Sequence, residues 1–307
     1  MKAVVVTQAG GPEVLQVQDR PDPEPAVDQA VVRLAAANVN PTDVAARQGL
    51  YPPNFGIEGP PYVLGWDLAG EVVAVGDGVH DFSPGDHVVG MIPWYAAGGR
   101  FGAYAELVLL EAHWLVPLPD RLDPVQAATV PLNALTAQQA LRLFGAAAGD
   151  ELLITGASGA VGSFAVQLAK EQGLQVTAVA GTDDEAWVRE LGADTVLPRD
   201  ADLSAIGTFP YVFDAVPVGA DAFPAAARGG TIVTTRALRE KPDPDSGVTL
   251  RPMLIEQDTP ALEDLVGQVA AGRLKTRVSQ TVPLADAAEA HRLVEERGRR
   301  GKVVLVP

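Results

Sequence analysis

Cysteine is absent from the 307 residues, which excludes disulfides, thiolate zinc sites and thiol nucleophiles together. Long apolar runs are missing too. Although 47% of the residues are apolar, no stretch approaches the ~20 needed to span a bilayer as a helix. The opening MKAVVVTQAG carries too few apolar residues after Lys2 for a signal-peptide core. Positive charge is scarce: 23 Lys and Arg stand against 39 Asp and Glu, a formal net charge of −16. That balance argues against nucleic acid or an anionic membrane as a main partner. The expectation is a cytoplasmic protein, long enough for two domains with a core each.

The most informative stretch is Glu151–Gly173, ELLITGASGAVGSFAVQLAKEQG. The apolar run Leu152–Ile154 stops at a small-residue turn, Gly156-Ala157-Ser158-Gly159-Ala160-Val161-Gly162. Val161, Ala165, Leu168 and Ala169 then recur at helical spacing, and Gly173 is placed to cap the end. A second apolar run, Val176–Ala180, follows. Strand, glycine turn, helix, strand is the order of a dinucleotide-binding βαβ unit. A diphosphate needs backbone N–H groups at close range and the positive end of a helix dipole. The pattern is Ala157-x-Gly159-x-x-Gly162, with alanine in place of the first glycine of the usual fingerprint. A glycine turn between strand and helix also serves tight packing alone.

The first third of the chain reads as β-rich, with short strands expected at Lys2–Val6, Ala30–Ala35, Glu71–Val75, His87–Gly90 and Tyr104–Leu109. From about Asp123 the pattern changes: Asp123–Phe144 is Ala/Leu-rich with helical periodicity interrupted by Pro131. Strands are then expected at Leu152–Thr155, Val176–Ala180, Thr195–Leu197, Tyr211–Asp214 and Thr231–Thr234. Helices fit between them at Ala160–Gln172, Asp184–Leu191 and Ala220–Ala227. The alternation predicts a parallel sheet covered on both faces, an α/β class. Ala261–Ala271 and Ala285–Glu296 read as further helices and Lys302–Val306 as a closing strand.

Several segments, in order, resemble a family. They are Gly10–Leu15, Asn38-Val39-Asn40-Pro41-Thr42-Asp43 with Arg47, Gly49 and Tyr51, and Gly65-Trp66-Asp67-Leu68-Ala69-Gly70. Pro84–Val88, Leu135-Thr136-Ala137, the Ala157–Gly162 turn, Leu191–Asp194, Gly272–Leu274, Ala287–His291 and Gly301–Val304 follow. On these residues the chain resembles zinc-independent members of the medium-chain dehydrogenase/reductase superfamily, in the NADPH:quinone reductase (zeta-crystallin-like) branch. The resemblance implies a GroES-like β-barrel domain at 1–122, completed by 276–307. It also implies a Rossmann doubly wound parallel-sheet domain at 123–275, an active cleft between the two, and a homodimer. Zinc-using relatives place a His-Glu pair at the position of Trp66-Asp67 and a cysteine near Asn40. With those ligands replaced, and His80, His87, His113 and His291 scattered and read as structural or surface, no metal is expected.

NAD-preferring domains end the second strand on an acid. Here that position is Ala180-Gly181, and a glycine leaves room for a 2′-phosphate, which favours NADPH over NADH. Glu185 departs from the lysine often found there in similar relatives. Arg189, Arg199 and Arg236 are the substitute cations, each also readable as an ordinary surface arginine. By family position Thr136, Val216 and Lys302 border the cofactor, Asn40 and Tyr51 line the substrate, and Trp66 fills the vacated metal position. Each has a plainer reading: Asn40 as a turn cap, Tyr51 as a stacking ring, Trp66 as packing, and Asp43 with Arg47 as a structural ion pair. The implied activity is zinc-free hydride transfer from NADPH to a quinone or an α,β-unsaturated carbonyl. The alternatives are an enoyl-thioester reductase and a non-catalytic NADPH-binding sensor or structural protein.

Overall fold

A computed structural model describes residues 1–51, 53–296 and 298–307. The chain divides into two units, one formed by Met1–Leu132 with Glu256–Pro307, the other by Asn133–Ile255. The resemblance had placed the divisions at 122/123 and 275/276.

The first unit is mainly antiparallel. Its Val- and Ala-rich segments suit pleated strands that bury a face. β1 (Lys2–Val6) pairs with β2 (Leu15–Asp19). β3 (Gln29–Asn38) leads into the short helix α1 (Pro41–Arg47). β4 (Tyr62–Val63), β5 (Asp67–Val75), β6 (His87–Met91), β7 (Leu107–Glu111), β8 (Leu115–Pro117) and α2 (Pro124–Ala127) follow. β5 lies antiparallel beside β3 with Asn38 opposite Asp67, and that register positions the site described below. The strand expected at Tyr104–Leu109 starts later, at Leu107, because Ala105 only bridges to Ala3.

α3 (Pro131–Arg142) begins at the proline that interrupts the helical pattern, since proline is pre-set for a helix's first turn. The second unit then alternates: β9 (Glu151–Thr155), α4 (Ala160–Glu171), β10 (Gln175–Ala180), α5 (Glu185–Glu190), β11 (Thr195–Pro198), β12 (Phe209–Asp214), β13 (Ala226–Thr234) and β14 (Thr249–Pro252). The sheet order is β11-β10-β9-β12-β13-β14, and every adjacent pair is parallel. Numbered from β9 this is 3-2-1-4-5-6, the doubly wound order in which ligands bind where the direction of winding reverses. Leu153, Val212, Ile232 and Phe209 form part of its core. α4 closes in a Schellman arrangement, with Gly173 at φ 78° and Leu174 N–H donating to Ala169. The helix expected at Ala220–Ala227 does not form. Gly219–Ala225 is a 3₁₀ run containing Pro224, which has no N–H to continue an α-helix, and β13 begins at Ala226.

The chain returns to the first unit through α6 (Thr259–Ala270), β15 (Val278–Pro283), α7 (Ala287–Glu295) and β16 (Lys302–Val306). β16 runs parallel to β15 and antiparallel to β3, with Val304 opposite Asn38. Among the described residues no helix is long and apolar enough to cross a membrane.

Candidate active site

In the first unit, strand register brings distant polar residues together. Asn38 closes β3, Asp67 opens β5 opposite it, and the β16–β3 pairing carries Lys302 up to Asn40. The Asp67 carboxylate accepts from Asn38 Nδ2 (2.9 Å), Asn40 Nδ2 (2.7 Å) and the Leu132 N–H (2.8 Å). Asn40 Oδ1 in turn accepts from Lys302 Nζ (2.8 Å) and Asn38 Nδ2 (3.0 Å). The orientation of the Asn40 amide is therefore set by its neighbours: oxygen toward the ammonium, nitrogen toward the carboxylate.

Asn40, Asn38, Asp67 and Lys302 are all buried. Burial pushes the Asp67 carboxyl up against the lowering effect of its amide partners. The same desolvation brings the Lys302 ammonium down to about 8, opposed by the charges of Asp67 and Asp43. Lysine has three donors, and Asn40 Oδ1 is the acceptor for one of them. Asn38 Oδ1 and Trp66 Nε1 have no hydrogen-bond partner among the described residues. A buried cation with spare donors, beside an orphan acceptor and an orphan donor, has the composition of a site for a polar ligand group.

Asn40 also precedes α1 in extended conformation, and its N–H donates to Asp43 (2.9 Å), the third residue of the helix. The capping reading of Asn40 therefore holds, and the same side chain also joins the buried polar cluster. The expected Asp43–Arg47 ion pair does not form. Arg47 pairs instead with Glu295 on α7, at 2.9 and 3.1 Å. Asp43 turns inward to accept from Asn40 N–H and Gly65 N–H (3.0 Å). Burial raises it to about 7.

Tyr51 and Trp66 lie at opposite ends of an aromatic chain. Tyr51 meets Trp94 edge-on (6.4 Å between centroids), Trp94 meets Tyr95 (5.7 Å), and Tyr95 meets Trp66 at 90° (5.0 Å). Tyr62, whose phenol donates to the Ala46 carbonyl at 2.7 Å, packs against both Tyr51 and Trp94. A cavity of about 740 Å³ opens on this unit, lined in part by Arg20, Phe55, Ile57, Tyr62, Gly99 and Arg100.

In the second unit, the turn after β9 explains its glycines. Gly156 has φ 62°, and a Cβ there would strike the Val216 side chain. It takes the turning role of the glycine that Ala157 replaces in the fingerprint. A Cβ on Gly162 would run into the Gly156 carbonyl and lie 2.8 Å from Ala157 Cα, so α4 can approach β9 only with glycine there. Gly159 is the N-cap of the twelve-residue α4, whose first turn starts at Ala160 and Val161. Ala157 is buried, and Ser158 is partly exposed at the mouth of the turn. Next to it Asp214, at the end of β12, accepts from Thr155 Oγ1 (2.6 Å) and from the Val218 and Gly219 N–H groups (both 3.1 Å), which fixes the loop carrying the exposed Val216. Thr136 is buried on α3.

At the end of β10, Gly181 leaves open the direction a Cβ would take, and the nearest atom along it is a terminal guanidinium nitrogen of Arg199 (3.4 Å). Arg199 is exposed and makes no ion pair among the described residues. Arg189 is committed to Glu185 at 2.9 Å. That pair offsets the acid found at the family's lysine position. The features that sequence reasoning missed are Asn38, the acceptor role of Asp67 and the Tyr104–His291 contact. All depend on pairings between segments far apart in the chain, so no local spacing signals them.

Two family models match the chain: the alcohol dehydrogenase GroES-like domain over residues 26–120 and the zinc-binding dehydrogenase over residues 191–305. A quinone oxidoreductase of Pseudomonas aeruginosa is 34% identical, covering 100% of this chain and 99% of its own. An NADPH-dependent alkenal/one oxidoreductase of Arabidopsis thaliana chloroplasts is 32% identical, over 100% of this chain and 80% of its own. Among solved structures, the quinone oxidoreductase from Coxiella burnetii superposes with a TM-score of 0.89 at 29% identity, covering 100% of this chain and 99% of that one. No group of three or more His, Cys, Asp or Glu residues suited to a metal ion occurs among the described residues.

Proposed function

The chain belongs to the quinone oxidoreductase branch of the medium-chain dehydrogenase/reductase family, and we propose that it is a zinc-independent enzyme carrying hydride from NADPH to a quinone or an α,β-unsaturated carbonyl. The observation that carries this reading is the Asn40–Asp67–Lys302 cluster. Where the resemblance puts the zinc ligands, this chain has Trp66-Asp67 and, near the cysteine position, Asn40, whose oxygen is held by the buried Lys302 ammonium.

The second unit fits a dinucleotide. The Gly156–Gly162 turn has the close backbone approach that a diphosphate requires, at the head of a twelve-residue helix. Ser158, Ala160 and Val161 would present N–H groups to it, whereas the Ala157 and Gly159 N–H groups are taken by the Val179 and Gly156 carbonyls and shape the turn. Gly181 and Arg199 would take the ribose 2′-phosphate, with the guanidinium as a bidentate partner. NADPH, when bound, supplies the hydride.

The remaining work falls to the first unit. Hydride addition leaves negative charge on the acceptor's oxygen, and that charge needs positioned donors. Lys302 holds the Asn40 oxygen, so Asn40 is fixed in its amide orientation and the nearby positive charge is available to the oxyanion. Trp94, Tyr95 and Trp66 are buried, so the aromatic chain braces the partly exposed Tyr51 ring, which would be the flat surface a quinone meets. The reading extends to a homodimer through β14, an edge strand of the parallel sheet.

The test is oxidation of NADPH by purified, chelator-treated protein with 1,4-benzoquinone and, separately, with an enone. Turnover that survives the chelator and favours NADPH over NADH is the expected result. Turnover of the enone alone would assign the chain to double-bond reduction. Tight NADPH binding without turnover would overturn the catalytic reading.

A further inference from the structure

The cavity of about 740 Å³ on the first unit takes no part in the reaction as described. Asn40, Tyr51, Trp66, Asp67 and Lys302 all lie outside its lining. Its floor is apolar. Ala3 and Val5 share one face of β1, two residues apart, and Tyr62 and Val63 join them from β4, which pairs with β1. The Tyr62 hydroxyl is spent on the Ala46 carbonyl (2.7 Å), so it leaves no free phenol in the floor. Phe55 and Ile57 close one side. The Phe55 ring stacks on Tyr95 at 5.9 Å, which joins the loop before β4 to the loop after β6. In that second loop Gly98 and Gly99 have φ 65° and 70°, and they border the cavity with no side chain to fill it.

The rim is charged. Arg20 is exposed, and its N–H donates to the Met1 carbonyl (2.9 Å), which ties its backbone to the start of β1. Its guanidinium has no hydrogen-bond or ion-pair partner among the described residues. Arg100 folds back so that Nε donates to the Ala97 carbonyl (3.0 Å), with the guanidinium 5.9 Å from the centre of the Phe101 ring. Its terminal nitrogens have no partner among the described residues. Glu58 is the one acid among the described lining residues, and it pairs with neither arginine. The Met1 ammonium at the same cavity is already matched by Asp22 at 2.7 Å. Two unpaired guanidiniums against one carboxylate leave the cavity with a single positive charge, in a chain whose net charge is −16.

We infer that this cavity binds a small amphipathic carboxylate, its apolar body on the β1–β4 floor and its carboxylate met by the Arg20 and Arg100 guanidiniums. The volume falls within the roughly 300–1,000 Å³ of small-molecule pockets. A guanidinium fork matches the two oxygens of a carboxylate. A single net charge suits a monoanion better than a phosphate dianion. Neither arginine must break an ion pair to receive the ligand, so binding leaves no acid stranded.

The test is calorimetric titration of the full chain with 2-naphthoate, with its neutral isostere 2-naphthamide and with acetate, which lacks the apolar body. Naphthoate should bind at least about fivefold more tightly than either. Arg20→Ala and Arg100→Ala should each weaken naphthoate about three- to fivefold, as expected for exposed charge pairs, and leave naphthamide within about twofold. Raising the salt from 50 to 300 mM should weaken naphthoate alone. Intermolecular NOEs should connect the naphthalene protons with the Ile57 methyls and the Tyr62 ring. Equal affinity for acid and amide, indifference to both arginine substitutions, or absence of those NOEs would overturn the inference. Because every readout is binding, the result stands whether or not the protein reduces quinones.

Discussion

The Arg199 guanidinium, which makes no ion pair among the described residues, lies beside Gly181, the glycine that leaves space at the end of β10. A charge-assisted hydrogen bond contributes roughly 1.5–3 kcal/mol, so Arg199→Ala should raise KM for NADPH about 10–100-fold. KM for NADH should stay within about threefold, and paired steady-state titrations check both. His291 makes a separate prediction. Burial brings its folded pKa down to about 3, below the ordinary imidazole value of 6.5, so between these values the unfolded chain binds a proton that the native one refuses. Stability attributable to this residue is complete above pH 6.5 and is lost as the pH falls toward 3. His291→Gln removes that dependence. Denaturant titrations at pH 7 and pH 4.5 should show the variant gaining on the wild type by on the order of 2 kcal/mol at the lower pH.

At the scale of elements, the βαβ turn is held by backbone approach. Gly162→Ala puts a methyl group into the Gly156 carbonyl, and α4 must move. We expect about 1–3 kcal/mol of destabilisation and a Kd for NADPH at least tenfold weaker, read by thermal unfolding and by nucleotide fluorescence. Gly267, inside α6 with open space around its Cβ direction, is the contrast. Gly267→Ala should stabilise by roughly 0.5–1 kcal/mol without touching nucleotide affinity. The strands buried on both faces were legible because continuous apolar runs announce them: Leu152–Thr155 and Val176–Ala180 fall within one residue of β9 and β10. The half-exposed strands gave little signal. β14, Thr-Leu-Arg-Pro, has one apolar side chain apart from its proline, and β2, Leu-Gln-Val-Gln-Asp, shows an alternation that was readable but short. At the site, Asn40 and Trp66 were reached through motif resemblance. The contact between Lys302 and Asn40 depends on a register across 262 positions of sequence, and local pattern cannot supply it.

At the scale of the whole molecule, the two units differ in continuity. Asn133–Ile255 is one uninterrupted stretch, whereas the other unit needs both Met1–Leu132 and Glu256–Pro307. A fragment spanning 133–255 should therefore unfold cooperatively and bind NADPH weakly, as seen by calorimetry and titration. A fragment spanning 1–132 should give no cooperative transition, since β3 would lack β16, and Asn40 would lack the cation on its oxygen. The position of β16 near the carboxyl end has a consequence for synthesis. As the chain leaves the ribosome, Asp67 emerges more than two hundred residues ahead of Lys302, so the nascent first unit carries an uncompensated acid until translation is nearly finished. Any ribosome that stalls before Lys302 would leave a chain with a competent nucleotide fold and no means of completing the Asn40–Asp67–Lys302 cluster.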